Sequence, residues 1–224
     1  MGQSFRIYQT IKRVDRAILD RFSGLPVANI ADNMGRIACL DHSLVPFNNT
    51  PLLGTAFTVK APAGDNLMFH KALDLAQPGD VLVVAANGYK NRSLCGGIMA
   101  SYAKKKGLAG FIIDGAIRDK AEISKMDFPV YARSVQPNGP YKNGPGCINV
   151  PVSCAGQVIF PGDILVGDED GIVVIRPDEA EEILEAAWAQ NAMENRSFEE
   201  IEAGCYDRSW VDRVLKEKGC EIID

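Results

Sequence analysis

The chain reads as an α/β protein with a mixed sheet flanked by helices and a helical C-terminal tail. Three observations predict this class. Residues 81–85 (Val-Leu-Val-Val-Ala) and 111–113 (Phe-Ile-Ile) are unbroken apolar runs bounded by Gly and Pro turn residues, the pattern of strands covered on both faces. A helical stretch over 98–106, closed by Gly107, lies between them, so helices and strands alternate here. Beyond Phe128-Pro129-Val130-Tyr131 the chain changes to short β-like runs separated by tight turns, which predicts mixed or antiparallel pairing.

Each element follows from local pattern. Apolar positions Ile11, Val14, Ile18, Leu19 and Phe22 predict an amphipathic helix over 11–22, ended by Ser23-Gly24 and Pro26. A second short helix is expected over 29–34, closed by Gly35. The Asn- and Pro-rich stretch 46–51 is a loop, and 53–61 is a strand on the strength of Thr55, Phe57 and Val59. Residues 65–76 read as a helix with Asp65-Asn66 at its N-cap. Pro78-Gly79-Asp80 is a turn into the 81–85 strand, which Asn87-Gly88 ends. A loop over 92–97 leads into the 98–106 helix. A strand from Gly110 then runs into a turn at Asp114-Gly115, and a short segment follows over 121–125.

After a Gly/Pro/Asn loop over 138–146, strands are expected at 148–153, 157–160, 164–166 and 172–175. Pro161-Gly162-Asp163 repeats the turn at 78–80, as common turn chemistry. A helix over 178–193 has Asp178 as its N-cap candidate, and a last helix surrounds Trp210, Val211, Val214 and Leu215. Residues 1–224 are expected to form a single domain with 179–224 as a helical extension.

Bulk properties exclude several functions. The chain has 224 residues, 46% apolar and 24% charged, within the ordinary range of globular proteins. A net charge of −5 argues against a nucleic-acid binder. The basic run Lys104-Lys105-Lys106 suits a solvated helix end. Six scattered cysteines without a C-x-x-C pair suggest neither zinc nor a disulfide framework, and point to reduced thiols and a cytoplasmic location. No apolar stretch approaches the roughly 20 residues that span a bilayer, so no membrane partner is expected.

Two pieces carry chemistry together. Gly96, Gly97, Ile98 and Met99 open a helix, where backbone N–H groups favour anions and Gly permits close approach. Arg118-Asp119 follows the next strand, at the edge where α/β sheets bind ligands. Taken alone, the first is a loop-to-helix junction and the second a surface ion pair. If the two strands are neighbours, both pieces converge on one crevice. Arg can clamp a carboxylate, and Asp can hold a hard divalent cation. Asp168-Glu169-Asp170-Gly171 lacks the spacing of a calcium loop and reads as a hairpin turn. His42 and His70 sit in no nucleophile pattern, Cys95 reads as a small buried filler, and no Rossmann or P-loop glycine pattern is present.

At this point a resemblance enters. Asp114-Gly115-Ala116-Ile117-Arg118-Asp119 resembles the D-G-x-x-R-D signature of the RraA-like proteins. Supporting matches are Pro78-Gly79-Asp80-Val81-Leu82-Val83-Val84, Gly96-Gly97-Ile98-Met99-Ala100, Pro161-Gly162-Asp163-Ile164 and Asp168-Glu169-Asp170-Gly171-Ile172-Val173-Val174. They span roughly Ile18 to Ile183. The resemblance implies a swivelling β/β/α fold in homotrimers or homohexamers, with sites at subunit interfaces.

It also implies a metal-dependent lyase that cleaves a C–C bond in 4-hydroxy-4-methyl-2-oxoglutarate or oxaloacetate and releases pyruvate through a metal-stabilised enolate. By position, Asp119 would bind Mg²⁺ or Mn²⁺, partly through waters. Arg118 would bind substrate, and the backbone of Gly96, Gly97, Ile98 and Met99 would hold the pyruvoyl carboxylate. The family also includes the regulator of ribonuclease E activity, so the alternative is a non-catalytic partner of an RNA-processing enzyme. Asp119, which that regulator tends to lose, favours the enzyme. One departure stands out: many family aldolases carry an acidic residue where this chain has Gly97. Glu122, or an acid from a neighbouring subunit, is the candidate replacement.

Overall fold

The computed structural model describes residues 5–223. Its strands are β1 (Phe5–Ile7), β2 (Val45–Pro46), β3 (Leu52–Lys60), β4 (Asp80–Cys95), β5 (Gly110–Ile117), β6 (Val130–Val135), β7 (Gly146–Ile148), β8 (Val152–Cys154), β9 (Gln157–Ile159), β10 (Ile164–Asp168) and β11 (Gly171–Ile175). The helices are α1 (Arg16–Leu19), α2 (Val27–Asp32), α3 (Leu67–Leu75), α4 (Gly97–Lys106), α5 (Lys120–Ile123), α6 (Ala180–Glu202) and α7 (Ser209–Glu217). The main sheet runs β1-β7-β3-β4-β5-β6-β2, with β10 also paired to β3 and β11 to β10. Strands β3 to β6 are parallel; β7 and β10 run antiparallel to β3, so the sheet is mixed.

Strand alternation divides the interior. Leu82, Val84, Phe111 and Ile113 face α3 and α4, whereas Val81, Val83 and Ile112 face Ile159, Leu165 and Ile172 of the second β layer. Under the helices, the Phe111 ring meets Phe69 and Phe128 edge-on, with centroids 5.1 and 5.0 Å apart. Such pairs each add about 0.5–1.5 kcal/mol beyond burial. The opposite face of β10 and β11 packs Val173 and Ile175 against Ile30 of α2 and Leu184 of α6. Only the first two turns of α6 hold buried side chains; Met193, Phe198 and Ile201 are exposed.

Several expected boundaries shift. Residues 11–15 are not helical: α1 starts at Arg16, and Asp15 caps it by accepting the Ala17 N–H at 2.9 Å. The second helix starts two residues earlier, after Pro26. Asn87-Gly88 does not end its strand. Both residues sit at positive φ (57° and 66°), and β4 leaves the ladder after Ala85, turns there, and rejoins β5 at Tyr89, Ser93 and Cys95. Residues 92–95 are therefore strand, not loop. Asp114-Gly115 likewise marks a register shift against β6 rather than a turn, and β5 continues to Ile117. The expected 148–153 strand splits at Asn149, which adopts φ 58°. Helix α6 begins after Glu179, without the Asp178 cap, and extends to Glu202. Asp168 and Gly171 pair across the predicted hairpin.

The two Pro-Gly-Asp turns do the same work. Asp80 is fully buried, accepts the Gln77 N–H at 2.8 Å and receives Arg13 Nε and Nη2 at 2.8 and 2.7 Å. Asp163, also buried, accepts the Phe160 N–H at 2.8 Å and Arg176 Nη1 at 2.7 Å. Each aspartate closes its turn and ties it to a distant arginine.

Candidate active site

The parallel pairing of β4 with β5 brings the two sequence motifs to one edge. Strand β4 ends at Cys95 and the chain passes through Gly96 directly into α4. Strand β5 ends at Ile117, and the Arg118 N–H donates to the Cys95 carbonyl at 2.9 Å, locking the two strand ends together. Asp119 then adopts a left-handed conformation, φ 60° and ψ 38°, before α5. A non-glycine residue held there is a costly conformation that clusters at functional sites.

The backbone twist turns Asp119 back onto α4. Its Oδ2 accepts the Gly97 N–H at 3.0 Å and lies 3.8 Å from Arg118 Nε. A Cβ at Gly96 would collide with this carboxylate, and a Cβ at Gly97 would collide with the carboxylate of Glu122. Both glycines are therefore space-makers: two acidic side chains, Asp119 from the β5–α5 turn and Glu122 from α5, occupy the volume that side chains at 96 and 97 would fill. Gly97 N–H is thus satisfied by Asp119. The Ile98 and Met99 N–H groups, in the first turn of α4, have no intrahelical acceptor.

A cavity of about 180 Å³ opens over this junction, lined among others by Met99, Arg118, Asp119, Asn66, His70 and Lys142. It is smaller than the roughly 300–1,000 Å³ of drug-sized sites and has room for only a small molecule. Larger clefts exist, such as one of about 590 Å³ beside Lys60 and Cys147. The smaller cavity is the one onto which both motifs converge.

The surroundings are fixed by long-range bonds. Asn66 is buried, and its Nδ2 donates to the Leu94 carbonyl at 2.8 Å, while Oδ1 has no partner among the described residues. Asp65 Oδ1 accepts the Leu67 N–H at 2.9 Å, so Asp65 rather than Asn66 caps α3. His70 lies one turn further along α3; burial first, and then the Lys142 charge, lower its pKa from the usual histidine value and favour the neutral imidazole. Cys95 is fully buried, and burial, with Asp119 adding to it, pushes its thiol well above the ordinary range, which removes it as a nucleophile. Lys106 is not merely solvated: its Nζ donates to the Leu73 and Asp74 carbonyls at 2.6 and 2.7 Å, where α3 ends.

The structure thus gathers Gly96, Gly97, Ile98, Met99, Arg118 and Asp119 into one site, with Glu122 beside them. Sequence reasoning did not place Asn66, His70 and Lys142 there. They come from other loops and elements, and no local spacing marks them.

Fold and site define a β/β/α-layered protein with a glycine-led helix start facing an Arg118–Asp119 pair. The Aldolase/RraA family model, described as RraA-like, matches residues 27–174. The chain belongs to that family. It is 39% identical over 175 residues to a Halalkalibacterium halodurans protein provisionally named 4-hydroxy-4-methyl-2-oxoglutarate aldolase, a match covering 78% of this chain and 83% of that one. An uncharacterised protein from Pseudomonas syringae pv. tomato superposes with TM-score 0.75 at 25% identity, over 87% of this chain and 96% of that one. The RNA-processing inhibitor RraA from Thermus thermophilis superposes with TM-score 0.62 at 29% identity, over 67% and 92%. No helix among the described residues is long and apolar enough to cross a membrane.

Proposed function

We propose that this protein is a divalent-metal-dependent lyase that cleaves a carbon–carbon bond in a 2-keto acid and releases pyruvate, with 4-hydroxy-4-methyl-2-oxoglutarate or oxaloacetate as substrate. One observation carries the reading: Ile98, Met99, Arg118 and Asp119 line one small cavity at the start of α4, with the Glu122 carboxylate against the adjacent Gly97. The aldolase name of the H. halodurans relative supports it.

The donor set fits a hard cation such as Mg²⁺ or Mn²⁺. Asp119 and Glu122 bring carboxylates to adjacent glycines. No cluster of three or more His, Cys, Asp or Glu suited to a metal occurs among the described residues, so water and substrate oxygens would complete the shell, as Mg²⁺ prefers. Asp119 would hold the ion, with Glu122 beside it. When bound, the ion supplies Lewis acidity to the keto oxygen.

The chain's own groups do the rest. The Ile98 and Met99 N–H groups receive the C1 carboxylate at the positive end of α4. The Arg118 guanidinium stabilises the negative charge that develops on the C2 oxygen as the C3–C4 bond breaks and its electron pair moves toward C2. Glu122 takes the C4 hydroxyl proton of an aldol substrate and returns a proton to C3, completing pyruvate. For oxaloacetate the same bond releases carbon dioxide and needs only the proton at C3.

The competing reading is a non-catalytic regulator, favoured by the likeness to the Thermus inhibitor. Pyruvate release from both acids, measured with and without Mg²⁺, separates the two. The lyase reading expects metal-dependent turnover, abolished by chelator and reduced at least a hundredfold in Asp119→Ala, the lower end for an essential acid–base or ligand group. Full activity in that variant would falsify the site. Absence of turnover, together with capture of an RNA-processing enzyme, would establish the regulator.

A further inference from the structure

The aspartates buried among the described residues are Asp65, Asp80, Asp114 and Asp163. Three of them meet an arginine: Asp80 pairs with Arg13, Asp114 with Arg133 and Asp163 with Arg176. Asp65 makes no salt bridge among the described residues. Backbone N–H groups alone meet its carboxylate. Oδ1 accepts the Leu67 N–H at 2.9 Å, and Oδ2 accepts the Asn143 and Gly144 N–H groups at 2.6 and 3.0 Å. A buried carboxylate without a cation is costly, so its presence calls for a reason.

Capping α3 is not that reason. One oxygen serves the cap, and Ser or Asn caps a helix as well as Asp without burying a charge. What distinguishes the carboxylate is its second acceptor oxygen, since an amide would turn its NH₂ toward one set of donors. That second oxygen holds the 138–146 loop. Backbone bonds join the same two segments: the Tyr141 N–H donates to the Gly64 carbonyl at 2.8 Å, and the Asn66 N–H donates to the Tyr141 carbonyl at 3.0 Å. The loop is thus tied to the start of α3 by main-chain bonds at Tyr141 and by Asp65 at Asn143 and Gly144.

Two walls of the cavity start from this junction. Asn66 and His70 stand on the α3 side, Pro140 and Lys142 on the loop, and Asp65 lies behind them without lining the cavity. Gly139, next to Pro140, is so near Arg118 that an added Cβ would sit 3.3 Å from Nη1. A shift of the loop away from α3 therefore changes both the width of the cavity and the space at Arg118.

We propose that Asp65 is a positioning residue for the substrate cavity: its two oxygens fasten the 138–146 loop to the start of α3 and fix the separation of the two walls. This rests on the 2-keto acid reading of the site. Asp65 touches neither substrate nor metal in this scheme and acts through the loop.

The test compares the wild type with Asp65→Ser, which keeps an acceptor for the cap but has no second oxygen for the loop, and with Asp65→Ala, which has neither. Hydrogen exchange of the 138–146 amides is followed by mass spectrometry. Calorimetry measures pyruvate binding with Mg²⁺ present and, separately, Mg²⁺ binding alone. Thermal melts report folding. In Asp65→Ser the loop amides should exchange at least about tenfold faster, as a loop with fewer ties opens more readily. Pyruvate should bind about tenfold more weakly, the order of one lost hydrogen bond. Affinity for Mg²⁺ alone should not change, because Asp119 and Glu122 belong to other elements. In turnover of oxaloacetate, KM should rise while kcat stays within about threefold, the sign of lost uniform binding. Asp65→Ala should share the loop and pyruvate defects and melt lower than Asp65→Ser. Loop exchange at the wild-type rate in Asp65→Ser, or wild-type pyruvate affinity with a loosened loop, overturns the proposal. So does repair of pyruvate binding by serine along with the melting temperature, since that is the behaviour of a helix cap alone. An equal loss of Mg²⁺ binding also overturns it. A wild type that binds pyruvate but cleaves neither acid defeats the lyase reading and leaves the positioning role standing. A wild type that binds no pyruvate defeats the 2-keto acid reading and the proposal with it.

Discussion

The sharpest consequence of the site concerns Gly97 and Glu122. The Glu122 carboxylate occupies the space that a side chain at 97 would enter. Gly97 is not in a left-handed conformation, so its backbone accepts a larger residue. The acid should therefore be transferable from one element to the other. Glu122→Ala removes the proposed proton carrier and should lower kcat about 10²–10⁴-fold, the usual range for a general acid–base group. That corresponds to about 3–5 kcal/mol of transition-state stabilisation. Glu122 is exposed, so the change should leave folding stability within about 0.5 kcal/mol. Adding Gly97→Asp places a carboxylate one bond beyond the colliding Cβ, in the volume Glu122 has vacated. The double variant should recover at least tenfold over Glu122→Ala, whereas Gly97→Asp alone crowds two carboxylates and should be less active than the wild type. Steady-state pyruvate release, with thermal melts as the folding control, decides it. A double variant no better than Glu122→Ala would show that the two positions do not share one acid site.

Two further outcomes follow from buried groups. Arg13→Ala strips Asp80 of its bidentate partner and leaves a fully buried carboxylate with the Gln77 N–H alone. The cost should be about 3 kcal/mol, at the low end for a broken buried pair because Arg13 is a quarter exposed. The melting temperature should drop by about 6–12 °C; a drop under 2 °C would mean the pair is dispensable. Cys95 should resist iodoacetamide in the native protein while the exposed Cys205 and Cys220 react, with mass spectrometry of the labelled peptides as the check. Native labelling of Cys95 at a comparable rate would mean that its cover opens readily.

The parts of the fold that the sequence made legible are those in which one local rule acts alone. The apolar runs at 81–85 and 111–113 became parallel neighbours, and Gly107 closed α4 at φ 81°. That adjacency is what joins Gly96 and Gly97 to Arg118 and Asp119. Failures occur where distant partners compete with local pattern. Ile11, Val14 and Ile18 have helical spacing, yet Ile11 packs on the core under α3 and α4, while Val14 and Ile18 pack on the core beside α6. One helix cannot serve both, and Arg13 must reach Asp80 in between. Asn87-Gly88 gave a true turn signal whose flanks nonetheless stay in the sheet, because the excursion returns to β5. Lys142 and His70 were invisible as site residues. Their placement depends on Asp65 gripping a loop nearly eighty positions away.

The excursion of β4 has a consequence for how such a site can change. Its Arg92 braces the 138–146 loop from the side, while the helix start and the β5–α5 turn are held together by separate bonds. The loop is also tied to the end of β4, because the Ser93 N–H and Oγ both donate to the Asn138 carbonyl, at 2.8 and 3.0 Å. A change in the excursion would therefore reach both the 138–146 loop, through Arg92, and the strand end that feeds α4, through Ser93.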